Sequence, residues 1–345
     1  MATRDATEFQ FEGPAAFEEE AERERIAGLG PWQLAVRRLR RNKVAIASAV
    51  VFLLLVALAL AAPVWKEVAG RGPLSNNLSG TITVDGERTD VVSQDGVPIG
   101  PQWRDKYFLG ADGNGRDTAV RLLYGGRNSL LIGLSAALIT TVLSIVVGLL
   151  AGYLRGIVDA VIRPALDIIW AFPVVLLGVA LGTALALGGL QIGPVEIAGD
   201  SKLIPIIVIA VVYIPYMARP IRGQVLSLRE KEFVEAARAQ GAGPLRTMFS
   251  EILPNLSSTI VVFFPIMVAN AILLEAALSF LGAGVRPPEP SWGNMIDEGV
   301  DRIVTAPHQA IVPGLMLVLT VLSLNVFGDG VRDAFDPRAK VRIEH

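Results

Sequence analysis

Six apolar runs, separated by polar and charged segments, organise the chain. They occupy residues 44–65, 130–154, 165–187, 203–217, 256–281 and 310–327. A helix rises 1.5 Å per residue, so about 20 apolar residues cross the hydrocarbon core of a bilayer. Five runs reach or approach that length. The fourth is short, and the pattern predicts that its helix continues past Arg219 toward Leu226. Helices are the required reading, because lipid offers no partner to an unpaired backbone amide. The first run is not a cleavable signal peptide: 43 residues precede it, it is too long, and no small-x-small site followed by a soluble domain comes after it. The expected fold is an all-α membrane protein with six transmembrane helices.

Composition agrees with a bilayer as solvent. Of 345 residues, 52% are hydrophobic and 19% charged, too few charges for the surface of a soluble chain of this length. There is no cysteine and only two histidines, His308 and His345. Disulfides and thiolate or histidine metal sites are therefore not expected. The net charge of -2 gives no reason to expect a nucleic-acid partner.

Lys and Arg near the span ends predict orientation. Arg37, Arg38, Arg40, Arg41 and Lys43 precede the first run and place the N-terminus in the cytoplasm. Arg332, Arg338, Lys340 and Arg342 follow the sixth and place the C-terminus there too. Arg155 and Arg163 between the second and third runs agree, as do Arg219, Arg222, Arg229, Lys231, Arg238 and Arg246 between the fourth and fifth. The chain then divides into a cytoplasmic tail 1–43, acidic at Glu18, Glu19, Glu20 and Glu22, and a first span 44–65. An outer loop 66–127 follows, then a five-helix core 128–327 containing a cytoplasmic loop 219–254, and a tail 328–345. Within the outer loop, Thr81-Ile82-Thr83-Val84 before Asp85-Gly86 predicts a small β-hairpin.

The loop 219–254 is too long for a simple turn between helices, which takes 2–8 residues. From Arg229 to Gly241 it reads as a helix. Phe233, Ala236, Ala237 and Gln240 fall at i, i+3, i+4 and i+7 on one face. Gly241 stands where a C-terminal cap belongs. Gly243-Pro244 breaks the chain, a second short helix is expected from Leu245 to Ile252, and Pro254 marks re-entry into the membrane. The apolar stripe of the first helix needs a partner.

Glu235-Ala236-Ala237, then Gly241, then Leu253-Pro254 resemble the EAA loop of binding-protein-dependent ABC transporter permeases. The resemblance extends to Leu109–Leu130, to Glu275–Gly282 with Pro290-Ser291-Trp292-Gly293-Asn294, and to Gly328–Arg338, covering about residues 31–340. Those segments resemble the C-type permease subunits of the dipeptide, oligopeptide and nickel importers. The resemblance implies a type I importer permease (MetI-like) fold in the inner membrane. It also implies a heterodimer with a second homologous permease, two cytoplasmic ATPase subunits that carry ATP and Mg, and an extracytoplasmic substrate-binding protein. The EAA loop would then be the coupling element, with Glu232, Phe233, Glu235, Ala236, Ala237, Gln240, Gly241, Leu245, Leu253 and Pro254 as its residues. Two departures stand out. Glu251-Ile252-Leu253-Pro254 replaces the frequent His-Ile-Leu-Pro, and the insert at 70–100 is longer than the family's.

Other residues allow two readings. Glu275 inside an apolar run is a candidate for the pathway or a gate, or a partly hydrated residue near the helix end. Pro173 and Pro265 break helices as transporter prolines do near cavities, or merely kink them. Asp159, Arg163 and Asp167 share a helical face, and an Asp159–Arg163 pair at i, i+4 is the expected structural use. Gly110, Gly113 and Gly115 with Arg116 fit no phosphate-loop pattern, and no Gly-Lys pair occurs. They read as a turn-rich cap in which Asp112, Arg116 and Asp117 are structural. The chain is thus expected to have no catalytic residues and no cofactor of its own. A membrane hydrolase would need a nucleophile–base pair that is missing here, and a secondary transporter would leave the loop unexplained. Peptides are the expected cargo, with nickel or oligosaccharide as alternatives.

Overall fold

The computed structural model describes residues 30–336 apart from Asp85 and Asp105. The acidic stretch and the basic residues Arg338, Lys340 and Arg342 lie outside the described residues. Helix α1 (Pro31–Arg41) leads through one extended residue, Asn42, into α2 (Lys43–Leu60). The Asn42 side chain accepts a hydrogen bond from the Ala45 amide at 3.0 Å and so caps α2. The expected first helix ends earlier than its apolar run. Pro63 lacks an N–H and clashes with the carbonyl four residues back, so a separate α3 (Ala62–Ala69) begins there and stops at Gly70, φ 64°.

The hairpin forms as β1 (Thr81–Val84) against β2 (Glu87–Asp90), with Val84 opposite Glu87 and Gly86 at φ 94°. Beside it Val91, Tyr107 and Ala111 build a small core. This cap covers one end of the helices.

Helix α4 (Thr118–Leu154) has 37 residues and starts twelve residues before the apolar run. Asp117 caps it, its Oδ1 accepting from the amides of Ala119 at 2.9 Å and Val120 at 3.1 Å. Gly125 and Gly126 lie inside this helix and do not break it. The glycines instead admit another helix: a Cβ on Gly126 would lie 2.7 Å from the Trp292 ring.

The third apolar run is not one helix. It folds as α5 (Gly156–Ala171) and α6 (Val174–Gly188), bent by 95°. Proline forces its predecessor out of the helical region. Phe172 accordingly sits at φ -89°, ψ 141°. A short hairpin, β3 (Leu190–Ile192) and β4 (Val195–Ile197), leads to α7 (Leu203–Leu228). As expected, α7 continues past Arg219, so the polar loop starts at Arg229 rather than at Arg219. The loop contains α8 (Glu232–Ala239), a three-residue turn α9 (Pro244–Arg246) and a π-helical segment (Thr247–Ile252). Then follow α10 (Leu253–Phe280), α11 (Trp292–Val300) and α12 (His308–Phe335). Among the described residues five helices are long and apolar enough to cross a membrane, or six if the bent pair is one span.

α4 and α7 run parallel and very close. Gly148 and Gly152, one turn apart, face Ile221 and Val225, the small-xxx-small device of membrane helices. The Thr140 hydroxyl donates to the Ala210 carbonyl at 3.2 Å and the Ser144 hydroxyl to the Ile214 carbonyl at 3.1 Å. α10 runs antiparallel to α4, with Gly133 against Ile272. This topology gathers the ends of α4, α7 and α12 and the starts of α2 and α10 at the end of the bundle opposite the cap. The loop 229–252 lies at that end.

Candidate functional site

Helix α8 closes with a Schellman motif. The Gly241 amide donates to the Arg238 carbonyl at 2.9 Å, and the Ala242 amide donates to the Ala237 carbonyl at 3.0 Å. Gly241 has φ +87°, and no atom would crowd a Cβ placed there. The glycine is required for its backbone angle, not for space.

Only Val234 of α8 is buried. It joins Met248 and Ile252 of the π-helical segment in the main core, so one residue pins the helix to the bundle. The face named from sequence points elsewhere. Glu232, Phe233, Glu235, Ala236 and Gln240 are exposed and Ala237 is half-buried. Leu245 is 68% exposed. Leu253 and Pro254, in the first turn of α10, are partly buried and exposed respectively. The structure therefore brings Phe233, Ala236 and Gln240 onto an open surface and leaves Leu253 and Pro254 at the root of α10.

Contacts that the sequence did not reveal connect α8 to the membrane helices. The Arg238 guanidinium lies 5.1 Å from the centroid of the Tyr153 ring, in the last turn of α4, and that of Arg229 lies 5.9 Å away. Arg229 Nη1 also donates to the Tyr153 carbonyl at 2.8 Å. Burial, with Arg155 and Arg238 nearby, holds the Arg229 guanidinium below its usual pKa. Arg155 pairs with Glu230 at 2.8 Å. A Tyr ending an apolar run just before an Arg was the available signal.

The carboxylates of α5 are used between helices rather than by Arg163 within α5. Asp159 accepts two hydrogen bonds from Arg222, each 2.6 Å, and Asp167 accepts from Arg219 at 2.7 Å. Arg163 approaches Asp167 only to 4.0 Å. Arg219 also lies 5.3 Å over the Trp170 ring. These contacts hold α5 across α7 just before the break. Pro173 is exposed at that break, and Pro265 is buried within α10 beside Gly328 of α12.

Glu275 is fully buried inside the subunit. Its Oε1 accepts from the Ser279 hydroxyl at 2.7 Å, and Ser129 of α4 and Ser291 before α11 flank it. In this chain it sits at a junction of three helices and lines no exposed surface.

At the cap end, Asp112 Oδ2 accepts from Arg116 Nε at 2.6 Å and pairs with Arg121 Nε at 3.1 Å. Glu298 of α11 accepts from both arginines, at 2.8 and 2.9 Å. Asp117 accepts from the Tyr107 amide at 2.7 Å as well as capping α4, while burial raises its pKa. Asp112, Arg116, Arg121 and Glu298 form an ion-paired latch between the loop before α4 and α11. Among the described residues no cluster of three or more metal-ligating side chains occurs.

The family described as binding-protein-dependent transport system inner membrane component matches residues 144–341. The N-terminal TM domain of oligopeptide transport permease C matches residues 30–69. The glutathione transport system permease protein GsiD of Pectobacterium atrosepticum is 36% identical over 90% of this chain and 92% of its own length. The dipeptide transport system permease protein DppC of Alkalihalophilus pseudofirmus is 35% identical over 92% and 93%. The di/tripeptide transport system permease protein DppC of Pseudomonas aeruginosa is 39% identical over 70% and 76%. In fold, a solved structure of the MetNI methionine ABC transporter matches 62% of this chain and 96% of its own, with TM-score 0.50 and 20% identity. The chain belongs to the binding-protein-dependent transport system inner membrane components, the non-enzymatic, multi-pass permease subunits of ATP-binding-cassette importers, whose ATPase is a separate subunit.

Proposed function

We propose that this permease carries small peptides through a heterodimer with a second homologous permease, driven by two cytoplasmic ATPase subunits that hold ATP and Mg and fed by an extracytoplasmic binding protein. The observation that carries the reading is the open face of α8. Phe233, Ala236 and Gln240 have no cover among the described residues, while Val234 and the Schellman turn fix the helix between α7 and α10. A helix so exposed and so firmly joined to two spans suits docking on a separate subunit and passing its motion inward. Ala236 and Ala237 allow close approach, and Glu235 orients the contact. The peptide cargo follows from three relatives of one kind, named for glutathione, dipeptide and di/tripeptide transport. The 95° break at Pro173 offers a hinge toward the pathway. Glu275 we assign to the subunit interior rather than to the pathway surface.

Both termini and α8 then face the cytoplasm. The cysteine-free chain lets single cysteines test this. Ser93→Cys in the cap should react with an impermeant thiol reagent in intact cells and Ser227→Cys should not; the reverse pattern overturns the orientation. For the function, the complete complex with its binding protein in proteoliposomes should take up labelled di- and tripeptides with ATP. Uptake of nickel or an oligosaccharide instead would replace the substrate reading. Full uptake by complexes built from this permease alone would remove the heterodimer.

A further inference from the structure

We propose that α1 and the start of α2 form a binding site for an anionic phospholipid, its phosphate held by Arg40 and Lys43, its glycerol region resting against Val36 and Trp32, and its acyl chains entering the bilayer along the exposed apolar side chains of α2, Val44 first. The position of α1 is set by covalent geometry. A single residue, Asn42, separates it from the apolar span α2, and one residue advances the chain by about 3.8 Å at most. α1 must therefore lie where the span leaves the hydrocarbon. Its attachment fixes which side faces the bundle. Ala35 is 2% exposed. Arg38 Nη1 donates to the carbonyl of Asp336 at 2.8 Å and to that of Ala334 at 3.4 Å, satisfying the carbonyl end of α12 with a cation, where a helix dipole favours one.

The other side has a different chemistry. Trp32, Val36 and Arg40 follow at i, i+4 and i+8, one line along the helix. Trp32 and Val36 are 46% and 47% exposed, and Arg40 and Lys43 are exposed. A groove runs along this line, bounded by Trp32, Gln33, Val36, Arg37, Arg40 and Arg41. One edge of the Trp32 ring packs on Phe335 at 5.0 Å, which holds the indole upright. The segment 31–43 contains no Asp or Glu. An aromatic ring and a valine beside cations at the bilayer boundary match the glycerol and phosphate of a phospholipid whose acyl chains continue along α2, where Val44 is exposed. Charge sign decides the occupant: a zwitterionic headgroup offsets its own phosphate, an anionic one does not.

The inference rests on the membrane location and the geometry of α1, not on the cargo. To test it, the complete transporter is placed in nanodiscs of phosphatidylcholine containing a minority of phosphatidylglycerol, and retained lipid is counted by native mass spectrometry. Wild type should keep phosphatidylglycerol in excess over its bulk share. Each surface cation contributes on the order of a five-fold effect. Arg40→Gln with Lys43→Gln should therefore lower retention by roughly ten-fold or more, whereas Arg40→Lys should keep it. Neither variant touches the Ala35 or Arg38 contacts, so elution and melting should match wild type. Soluble glycerol phosphate should not displace the lipid; displacement would mean a free-phosphate site and overturn the acyl-chain contact. Equal retention of both lipids, or unchanged retention in the double variant, overturns the proposal.

Discussion

The guanidinium of Arg238 rests over the ring of Tyr153, 5.1 Å from its centroid, and so ties the exposed helix α8 to the last turn of α4. Arg229, at the end of α7, reaches the same ring at 5.9 Å and the carbonyl of the same residue at 2.8 Å. One tyrosine thereby meets groups from two neighbouring segments. If α8 moves as a docked lever, this ring is the point at which α4 feels it.

Tyr153→Ala should therefore separate ATP hydrolysis from transport. Each cation–π contact is worth about 0.5–1 kcal/mol at partly exposed sites, so the subunit should still fold and bind its ATPase. Tyr153→Phe keeps the ring and the main-chain carbonyl and should behave as wild type. The measurement is peptide transported per ATP hydrolysed in proteoliposomes. An unchanged ratio in Tyr153→Ala would show that the contact is only structural.

Gly241→Val should disturb the turn after α8 without a steric clash, because no neighbour would meet its Cβ. The penalty is conformational, about 1–2 kcal/mol for holding a side chain at positive φ, and greater for a β-branched one. Gly241→Asn should lose less, since asparagine tolerates that region. Copurification of the ATPase with the three forms should rank glycine, asparagine, valine. Valine binding as well as glycine would mean that the Schellman turn does not set the docking geometry.

The spans were legible in sequence because lipid leaves one period of polarity and no alternative backbone. The loop between α7 and α10 was legible because Gly241 and Pro254 punctuate it. What escaped was set by packing partners far along the chain. Gly125-Gly126 has turn-like composition, yet Trp292, 166 residues later by numbering, fills the space that side chains there would take. Asp159 had an arginine four residues on, and a better one on α7. The face of α8 was read as a stripe needing cover, and Val234, one residue off that stripe, is what the bundle buries. Glu275 had two readings in sequence, and its apolar neighbours there hide the serines that surround it in space. Gly148 and Gly152, by contrast, carried a readable close-approach motif that the span reading passed over as merely apolar.

That motif gives a stability prediction. A Cβ on Gly148 would lie 2.6 Å from Ile221 Cγ2, and one on Gly152 would lie 2.7 Å from Val225 Cβ. Gly152→Leu should force α4 and α7 apart at a cost of about 1–3 kcal/mol from overpacking. It should also lengthen the Ser144–Ile214 hydrogen bond one helical stretch away. Thermal melting in detergent should fall, and Val225→Ala in the same chain should recover part of the loss. No change on Gly152→Leu would mean that the helices do not pack this closely.

The latch at the cap end should respond differently to loss of one charge and to loss of its partners together. Asp112 is 8% exposed at its side chain, Arg116 5% and Arg121 1%. Asp112→Ala leaves two buried guanidiniums sharing Glu298, and removing one partner of a buried pair costs about 3–5 kcal/mol. The loop 110–117 should then detach from α11, detected as faster protease cleavage near Gly113 and a lower melting temperature. Replacing Asp112, Arg116, Arg121 and Glu298 together with apolar residues of similar volume removes the unpaired charges as well. That variant should recover much of the lost stability, because desolvation opposes the attraction within the network. If the single change is neutral, the latch is solvated and the cap is held by Val91, Tyr107 and Ala111 alone.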